Sequence, residues 1–110
     1  MFLYERVVRV EDTDATGYIY FANLLKMGLE AFEEFLYSES FSLQKMIESK
    51  KILMPIVHSE ADFFSPITVG NRIDIQLTVS HIGKKSFTHS SEFILNRKRV
   101  GKSTIVHVAF

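Results

Sequence analysis

The sequence predicts a single α+β domain in which an antiparallel sheet packs against one long helix. Three observations lead to this prediction. One stretch near the N-terminus has apolar residues at helical spacing, the second half of the chain alternates apolar and polar residues in several segments, and short turn-like links join those segments. The 110 residues suffice for one hydrophobic core, so we expect a single domain over residues 1–110.

The first half supplies a strand and the long helix. Residues 2–10 are rich in Val, Tyr, Phe and Leu and predict a first strand, which ends at an acidic cluster. From 20 to 36 an apolar stripe predicts an amphipathic helix. The stripe consists of Phe21, Leu24, Leu25, Gly28, Leu29, Phe32 and Phe35. Because Gly28 costs a helix about 1 kcal/mol relative to Ala, we expect a neighbouring backbone to approach closely there, as in a helix lying tightly on a sheet.

The rest of the chain predicts a short helix and four further strands. Residues 42–50 form the short helix, with Ser42 as its N-cap. The strands are expected at 52–64, where Pro55 makes the first irregular, and at 72–82, 86–95 and 102–110. Their links are 65–71, "GKK" (83–85) and "NRKRVG" (96–101). Links this short favour antiparallel neighbours.

Composition removes several classes of function. Thirteen basic and thirteen acidic residues give zero formal net charge, so we expect neither nucleic acid nor a membrane surface as partner. The absence of cysteine excludes a thiol nucleophile and a thiolate metal site. No signal peptide or membrane-spanning run is recognisable, which makes a soluble cytoplasmic protein the expectation. A 46% hydrophobic composition with ten Phe and four Tyr hints at a subunit interface or an apolar ligand site.

Several motifs resemble sites without meeting their requirements. "VGKST" (100–104) ends like a phosphate-binding loop, but the Gly required five residues earlier is Asn96, and a strand is expected to follow. The histidines, at 58, 81, 89 and 107, have no metal-binding spacing and are expected on strands, at the sheet surface or in the core. "GKK" and "NRKR" are typical of solvated hairpin tips. The alternative is that Lys84, Lys85, Arg97, Lys98 or Arg99 contacts phosphate groups of a ligand.

The acidic cluster "EDTDATG" (11–17) is the strongest candidate for chemistry. Helix capping explains one carboxylate, but Asp12 and Asp14 are further from the helix than a cap needs to be. A magnesium site of Asp12 and Asp14 would have no third ligand. Gly17 lets the loop approach a ligand, and free N–H groups at the start of the helix can stabilise an oxyanion. A carboxylate beside such donors can attack an acyl carbon or deprotonate a water molecule.

"VEDTDATGYIYFANLLKMGLEAFEEFL" and "ADFFSPITVGNRIDIQLTV" resemble the hot-dog-fold acyl-CoA thioesterases of the 4-hydroxybenzoyl-CoA thioesterase type. The resemblance covers nearly the whole chain and implies a curved sheet wrapped around the central helix. It also implies homodimers or homotetramers with active sites at the subunit interfaces, and no metal or cofactor besides the CoA of the substrate. Asp14 matches the catalytic aspartate of the family, a nucleophile or general base, and N–H groups near Tyr20 and Phe21 would polarise the thioester carbonyl.

The resemblance is greatest to family members that hydrolyse 1,4-dihydroxy-2-naphthoyl-CoA in phylloquinone synthesis. Many other members have a histidine seven residues after the aspartate, where this chain has Phe21. The residues expected to bind an aromatic acyl group are Gly17, Tyr18, Tyr20, Phe21, Phe63 and Phe64, although core packing would equally explain the aromatic ones. Family members usually extend beyond their last strand, whereas this sequence stops at Phe110, which would remove part of an edge that binds CoA.

Three alternatives remain open at the level of sequence. The chain could be a thioesterase for fatty acyl-CoA or acyl-carrier-protein substrates, or a binding module that keeps the fold without hydrolysis. A dehydratase of the same fold would need a His paired with Asp or Glu near the central helix, and no histidine precedes His58. Whether His58 or Glu60 reaches the site is also open.

Overall fold

The computed structural model describes residues 1–49, 54–80 and 82–108, which form a five-stranded antiparallel sheet and two α-helices. The elements in chain order are β1 (Phe2–Val7), α1 (Phe21–Ser38), α2 (Leu43–Ser49), β2 (Ile56–Phe63), β3 (Arg72–Ser80), β4 (Ser86–Leu95) and β5 (Lys98–Val108). The strand order across the sheet is β1-β3-β4-β5-β2. This arrangement confirms the predicted fold class.

Helix α1 lies across one face of the sheet and contacts all five strands. Leu24 and Phe32 of its apolar stripe, together with Met27, are buried against the inward-facing residues of β3, β4 and β5. At Gly28 the expected close approach is present, but the neighbour is a side chain rather than backbone: a Cβ added at residue 28 would overlap the Ser103 hydroxyl. Gly28 therefore lets the helix settle onto β5.

Two predicted boundaries were wrong for local reasons. The first strand ends at Val7, because a short 3-10 helix at Val10–Asp12 turns the chain before the acidic cluster. The turn between β4 and β5 contains only Asn96 and Arg97, both with positive φ (50° and 65°), and β5 begins at Lys98 rather than at 102. Two consecutive left-handed residues form the tight type of hairpin turn that suits the twist of paired strands.

Other predicted elements are close to those observed. The Ser42 hydroxyl accepts a hydrogen bond from the Lys45 N–H (3.2 Å), which confirms it as the cap of α2. Strand β2 begins just after Pro55, and its pairing with β5 shifts register between Ile56 and His58. Residues 50–53, His81 and residues 109–110 lie outside the described part, and so do the predictions made for them.

Strand β2 is an edge of the sheet, and no strand of the described residues pairs with its outer side. Seven of its eight residues are exposed, so both faces of the strand are open as well. Among the described residues, no helix is long and apolar enough to cross a membrane.

Candidate active site

The loop that carries the acidic cluster is a compact turn between β1 and α1. The Asp14 N–H donates to the Tyr18 carbonyl (3.0 Å) and the Gly17 N–H donates to the Asp14 carbonyl (3.1 Å). Gly17 has φ of 83°, which favours glycine. A hydrogen bond from the Ile19 N–H to the Ile67 carbonyl (2.8 Å) fastens the turn to the 65–71 connection. The loop is thus held by main-chain bonds at its base and across its tip.

The Asp14 side chain is exposed at this turn and is bound by Thr16 alone among the described residues. Its Oδ1 accepts a hydrogen bond from the Thr16 N–H (2.8 Å) and another from the Thr16 hydroxyl. These two donors, the hydroxyl foremost, lower the pKa of the Asp14 carboxyl. Asp14 is therefore a solvent-accessible carboxylate that stays ionised at neutral pH.

Asp12 has a different environment, although it is only two residues away. Asp12 is 0% exposed, and its side chain accepts hydrogen bonds from two nitrogens of Arg6 (2.5 and 3.0 Å) and from the Arg9 N–H (2.8 Å). Arg6 also donates to Glu30 on α1 (2.6 Å). Burial opposes ionisation of Asp12, but the Arg6 and Arg9 hydrogen bonds outweigh it and lower the pKa of the carboxyl. Asp12 is thus an internal anchor, unavailable to a magnesium ion.

The main-chain carbonyl of Asp12 also fixes the start of α1. The Asp12 carbonyl accepts hydrogen bonds from the Tyr20 N–H (2.9 Å) and from the Asn23 side-chain amide (2.9 Å). The Tyr20 N–H is therefore occupied and cannot also polarise a substrate. The helix begins at Phe21, whose N–H has no acceptor four residues earlier within the helix. Of the two expected donor positions, Phe21 is the one that remains.

An aromatic cleft of about 440 Å³ lies where the end of β2 meets the acidic loop. Tyr18, Phe63 and Phe64 line it, and all three side chains are about half exposed. The structure thus brings three of the expected acyl-binding residues together. Tyr20 and Phe21 are also exposed and pair with each other, with ring centroids 4.8 Å apart.

Arg99 contacts Phe64, one of the residues that line this cleft. Its guanidinium lies over the Phe64 ring, 4.6 Å from the ring centroid, and also forms an ion pair with Glu92. The expected role for this part of "NRKR" was a solvated tip or a phosphate contact. The cation–π contact with Phe64 was not predicted.

None of the described histidines bonds to Asp14. His58 pairs with Glu60 (3.3 Å) on β2, and both are exposed on the face of the sheet opposite α1, because the alternating Ala61 is paired with the buried Ser103. His89 and His107 are core residues whose Nε2 atoms lie 3.0 Å apart. The dehydratase alternative gains no support from these positions.

Sequence reasoning missed two partners of the acidic loop. Thr16 was recoverable, since an Asp followed two residues later by Thr is a common pattern for a side chain that bonds back to its own turn. The Arg6–Asp12–Glu30 network joins residues 24 positions apart, and no local pattern indicates it.

Comparisons with known proteins agree with this architecture. The 1,4-dihydroxy-2-naphthoyl-CoA hydrolase of Nostoc punctiforme is 38% identical over 107 residues, which cover 97% of this chain and 72% of that protein. The enzyme of the same name from Synechocystis is 41% identical over 86 residues, covering 78% of this chain and 62% of that protein. The crystal structure of a 1,4-dihydroxy-2-naphthoyl-CoA thioesterase from Synechocystis superimposes with a TM-score of 0.94 at 34% identity, covering 99% of this chain and 81% of that one.

The likenesses to the Nostoc protein and to the Synechocystis crystal structure extend over nearly all of the sheet and helix described above, including the acidic loop and the start of α1. The fold is accordingly the hot-dog fold that the sequence motifs implied. Residues 8–110 match the Thioesterase-like superfamily, and the chain belongs to that family.

Proposed function

We propose that this protein is a cytoplasmic acyl-CoA thioesterase that hydrolyses an aromatic acyl-CoA, with 1,4-dihydroxy-2-naphthoyl-CoA of naphthoquinone synthesis as the favoured substrate. The products are the free aromatic acid and CoA. The observation that carries the proposal is an exposed, ionised Asp14 in a tightly bonded turn, in which the Asp14 N–H is bonded to the carbonyl of Tyr18, a residue that lines the aromatic cleft. The names of the similar proteins support the choice of substrate.

In the proposed reaction Asp14 acts in one of two ways. As a nucleophile, its carboxylate attacks the thioester carbonyl, CoA leaves as the thiolate, and water hydrolyses the resulting anhydride. As a general base, it takes a proton from a water molecule that attacks the same carbon. In both cases negative charge develops on the carbonyl oxygen, and the Phe21 N–H at the positive end of α1 is the donor we assign to it.

The cleft accounts for selection of an aromatic acyl group. Tyr18, Phe63 and Phe64 offer ring faces to a flat bicyclic group, and about 440 Å³ lies in the range of small-molecule sites. Gly17 leaves room beside Asp14, and Tyr20 and Phe21 extend the aromatic surface toward the helix.

We further propose that the active unit is a homodimer, or a homotetramer made of two such dimers, with the site at the subunit interface. The unpaired edge of β2 is long and open on both faces, which natural proteins usually cover. Phe63 and Phe64 lie at the end of this edge, so a second chain paired along β2 would close the cleft. Light scattering on a sizing column tests this proposal, and a monomer with full activity would contradict it.

The decisive experiment measures thiol release from naphthoyl, benzoyl and long aliphatic CoA esters by the wild type and by Asp14→Asn. We expect fastest turnover of the naphthoyl ester, and a loss on the order of a hundredfold or more in Asp14→Asn, because the amide can neither attack nor accept a proton. Glu11→Gln is the matched control, since Glu11 is an exposed carboxylate of the same cluster.

Each alternative has its own outcome in this experiment. Faster turnover of the aliphatic esters would favour a fatty acyl thioesterase. Binding of acyl-CoA without hydrolysis by the wild type would favour a binding module. Normal turnover by Asp14→Asn would show that the carboxylate has only a structural role.

A further inference from the structure

We propose that Thr16 is a positioning residue that holds Asp14 by one carboxylate oxygen, Oδ1, and so makes the other oxygen, Oδ2, the one that reacts. This inference rests on the proposed function, in which Asp14 is the catalytic carboxylate.

The hydrogen bonds around Asp14 are all on one side of its carboxylate. The main-chain N–H and the hydroxyl of Thr16 both donate to Oδ1. Within the described part of the chain, no other residue donates a hydrogen bond to the Asp14 carboxylate, and the main-chain N–H of Asp14 itself contributes less to the lowered pKa than either Thr16 donor. An exposed carboxylate normally rotates freely, whereas rotation here would break two hydrogen bonds at once. The free oxygen is therefore presented in one direction.

The Thr16 hydroxyl is itself oriented by the turn. The Tyr18 N–H donates to Thr16 Oγ1 (3.3 Å), so the hydroxyl accepts from one side and its proton points to Asp14 on the other. Tyr18 also lines the aromatic cleft. One short chain of hydrogen bonds thus links a residue of the acyl-binding cleft to the reactive carboxylate.

The same two donors keep Asp14 ionised. The Thr16 hydroxyl is the largest cause of the lowered pKa of Asp14, and the Thr16 N–H is the next. No charged side chain of the described residues contributes: Asp12 is buried against Arg6, and Glu11 is exposed. Loss of the hydroxyl should therefore raise the pH below which the carboxylate is protonated and inactive.

Thr16→Val tests this with little change of shape, because it removes the hydroxyl and keeps the main-chain N–H. We expect kcat for the naphthoyl ester to fall about tenfold, the equivalent of one hydrogen bond to a charged group. KM should change little, and the acid limb of the pH profile of kcat/KM should move to higher pH. Thr16→Ser, which retains the hydroxyl, should restore both the rate and the pH profile.

Two results would overturn the proposal. The first is a Thr16→Val enzyme with unchanged kcat and unchanged acid limb. The second is an enzyme that loses stability, or raises KM, without any shift of the acid limb, since that is the behaviour of a purely structural threonine. Thr16→Ala provides a second variant without the hydroxyl, should Val not fold, and circular dichroism checks folding of each.

Failure here is distinguishable from failure of the proposed function. If Asp14→Asn hydrolyses the ester normally, Asp14 is not catalytic and the proposed function is wrong whatever Thr16 does. If Asp14→Asn is inactive and Thr16→Val behaves like the wild type, only the positioning role is wrong.

Discussion

Replacing Asp12 by Asn should destabilise the protein while leaving the chemistry of the folded molecule intact, the opposite of the effect expected at Asp14. Asp12 is 0% exposed, and its carboxylate accepts two hydrogen bonds from Arg6 and one from the Arg9 N–H. An amide of the same shape keeps one acceptor oxygen. It removes the negative charge that compensates the largely buried guanidinium of Arg6.

The loss of stability depends on which partners Arg6 keeps after Asp12 is replaced. Removal of one member of a buried ion pair costs about 3–5 kcal/mol, because the other charge remains buried without compensation. Here Glu30 still accepts a hydrogen bond from Arg6 (2.6 Å), so we expect the low end, about 3 kcal/mol. For a domain of this size each kcal/mol corresponds to roughly 4 °C, which predicts a fall in Tm of about 12 °C.

Urea titration and thermal melting, followed by circular dichroism, measure this loss. Protein concentration must be the same for each variant, because association of subunits would also contribute to stability. Glu11→Gln is the control: its exposed side chain predicts a change within about 0.5 kcal/mol. An unchanged free energy of unfolding in Asp12→Asn would refute the anchor. A stable Asp12→Asn protein without hydrolytic activity would refute the division of roles between Asp12 and Asp14.

Two further predictions concern the core under α1. Ala normally stabilises a helix by about 1 kcal/mol relative to Gly, but Gly28→Ala should not show this gain, because the added Cβ overlaps the Ser103 hydroxyl. In a Ser103→Ala background the same substitution should stabilise the protein by that amount. A double-mutant cycle measured by urea denaturation tests this, and additive effects of the two substitutions would contradict it. Burial, and then the neighbouring His107, lowers the pKa of His89 from 6.5 to about 4. Because the unfolded chain binds this proton first as pH falls, stability should drop by about 2 kcal/mol from about pH 8 to about pH 5. The midpoints of urea unfolding, measured from pH 8 to pH 5, test this pH dependence. His58→Gln is the control: because His58 is exposed, this variant should lose stability over the same pH range as the wild type does.

The fold was predictable where one local pattern dominates. The apolar stripe placed the long helix at 20–36, and α1 runs from Phe21 to Ser38. Clean alternation placed a strand at 72–82, and β3 is Arg72–Ser80. The turn between β4 and β5 was predicted to be too long, because the composition around Lys98 and Arg99 is typical of a solvated turn. Their positions are instead set by pairing with Leu95 and Ile94 on the neighbouring strand, which no local pattern encodes.

In the candidate site, too, local patterns predicted some residues and missed those that depend on distant contacts. Asp14 and Gly17 stood out because a motif and a turn residue are local signals, and the exposed carboxylate and the positive φ of Gly17 fit those expectations. No local pattern in the sequence indicated that Asp12 is buried. It depends on Arg6 from β1 and Glu30 from α1, which meet only after the helix has packed on the sheet.

These contacts explain why the sequence crowds carboxylates before α1. A carboxylate in an exposed loop is effective only if the loop is fixed relative to the helix terminus that stabilises the developing charge. The main chain of Asp12 supplies this fixation, since its carbonyl accepts the Tyr20 N–H just before the helix, and Asp12→Asn retains that bond. Asp14, two residues further on, can then remain exposed without being mobile. Under the proposed function, the buried Asp12 holds the base of the loop and the exposed Asp14 carries the reaction.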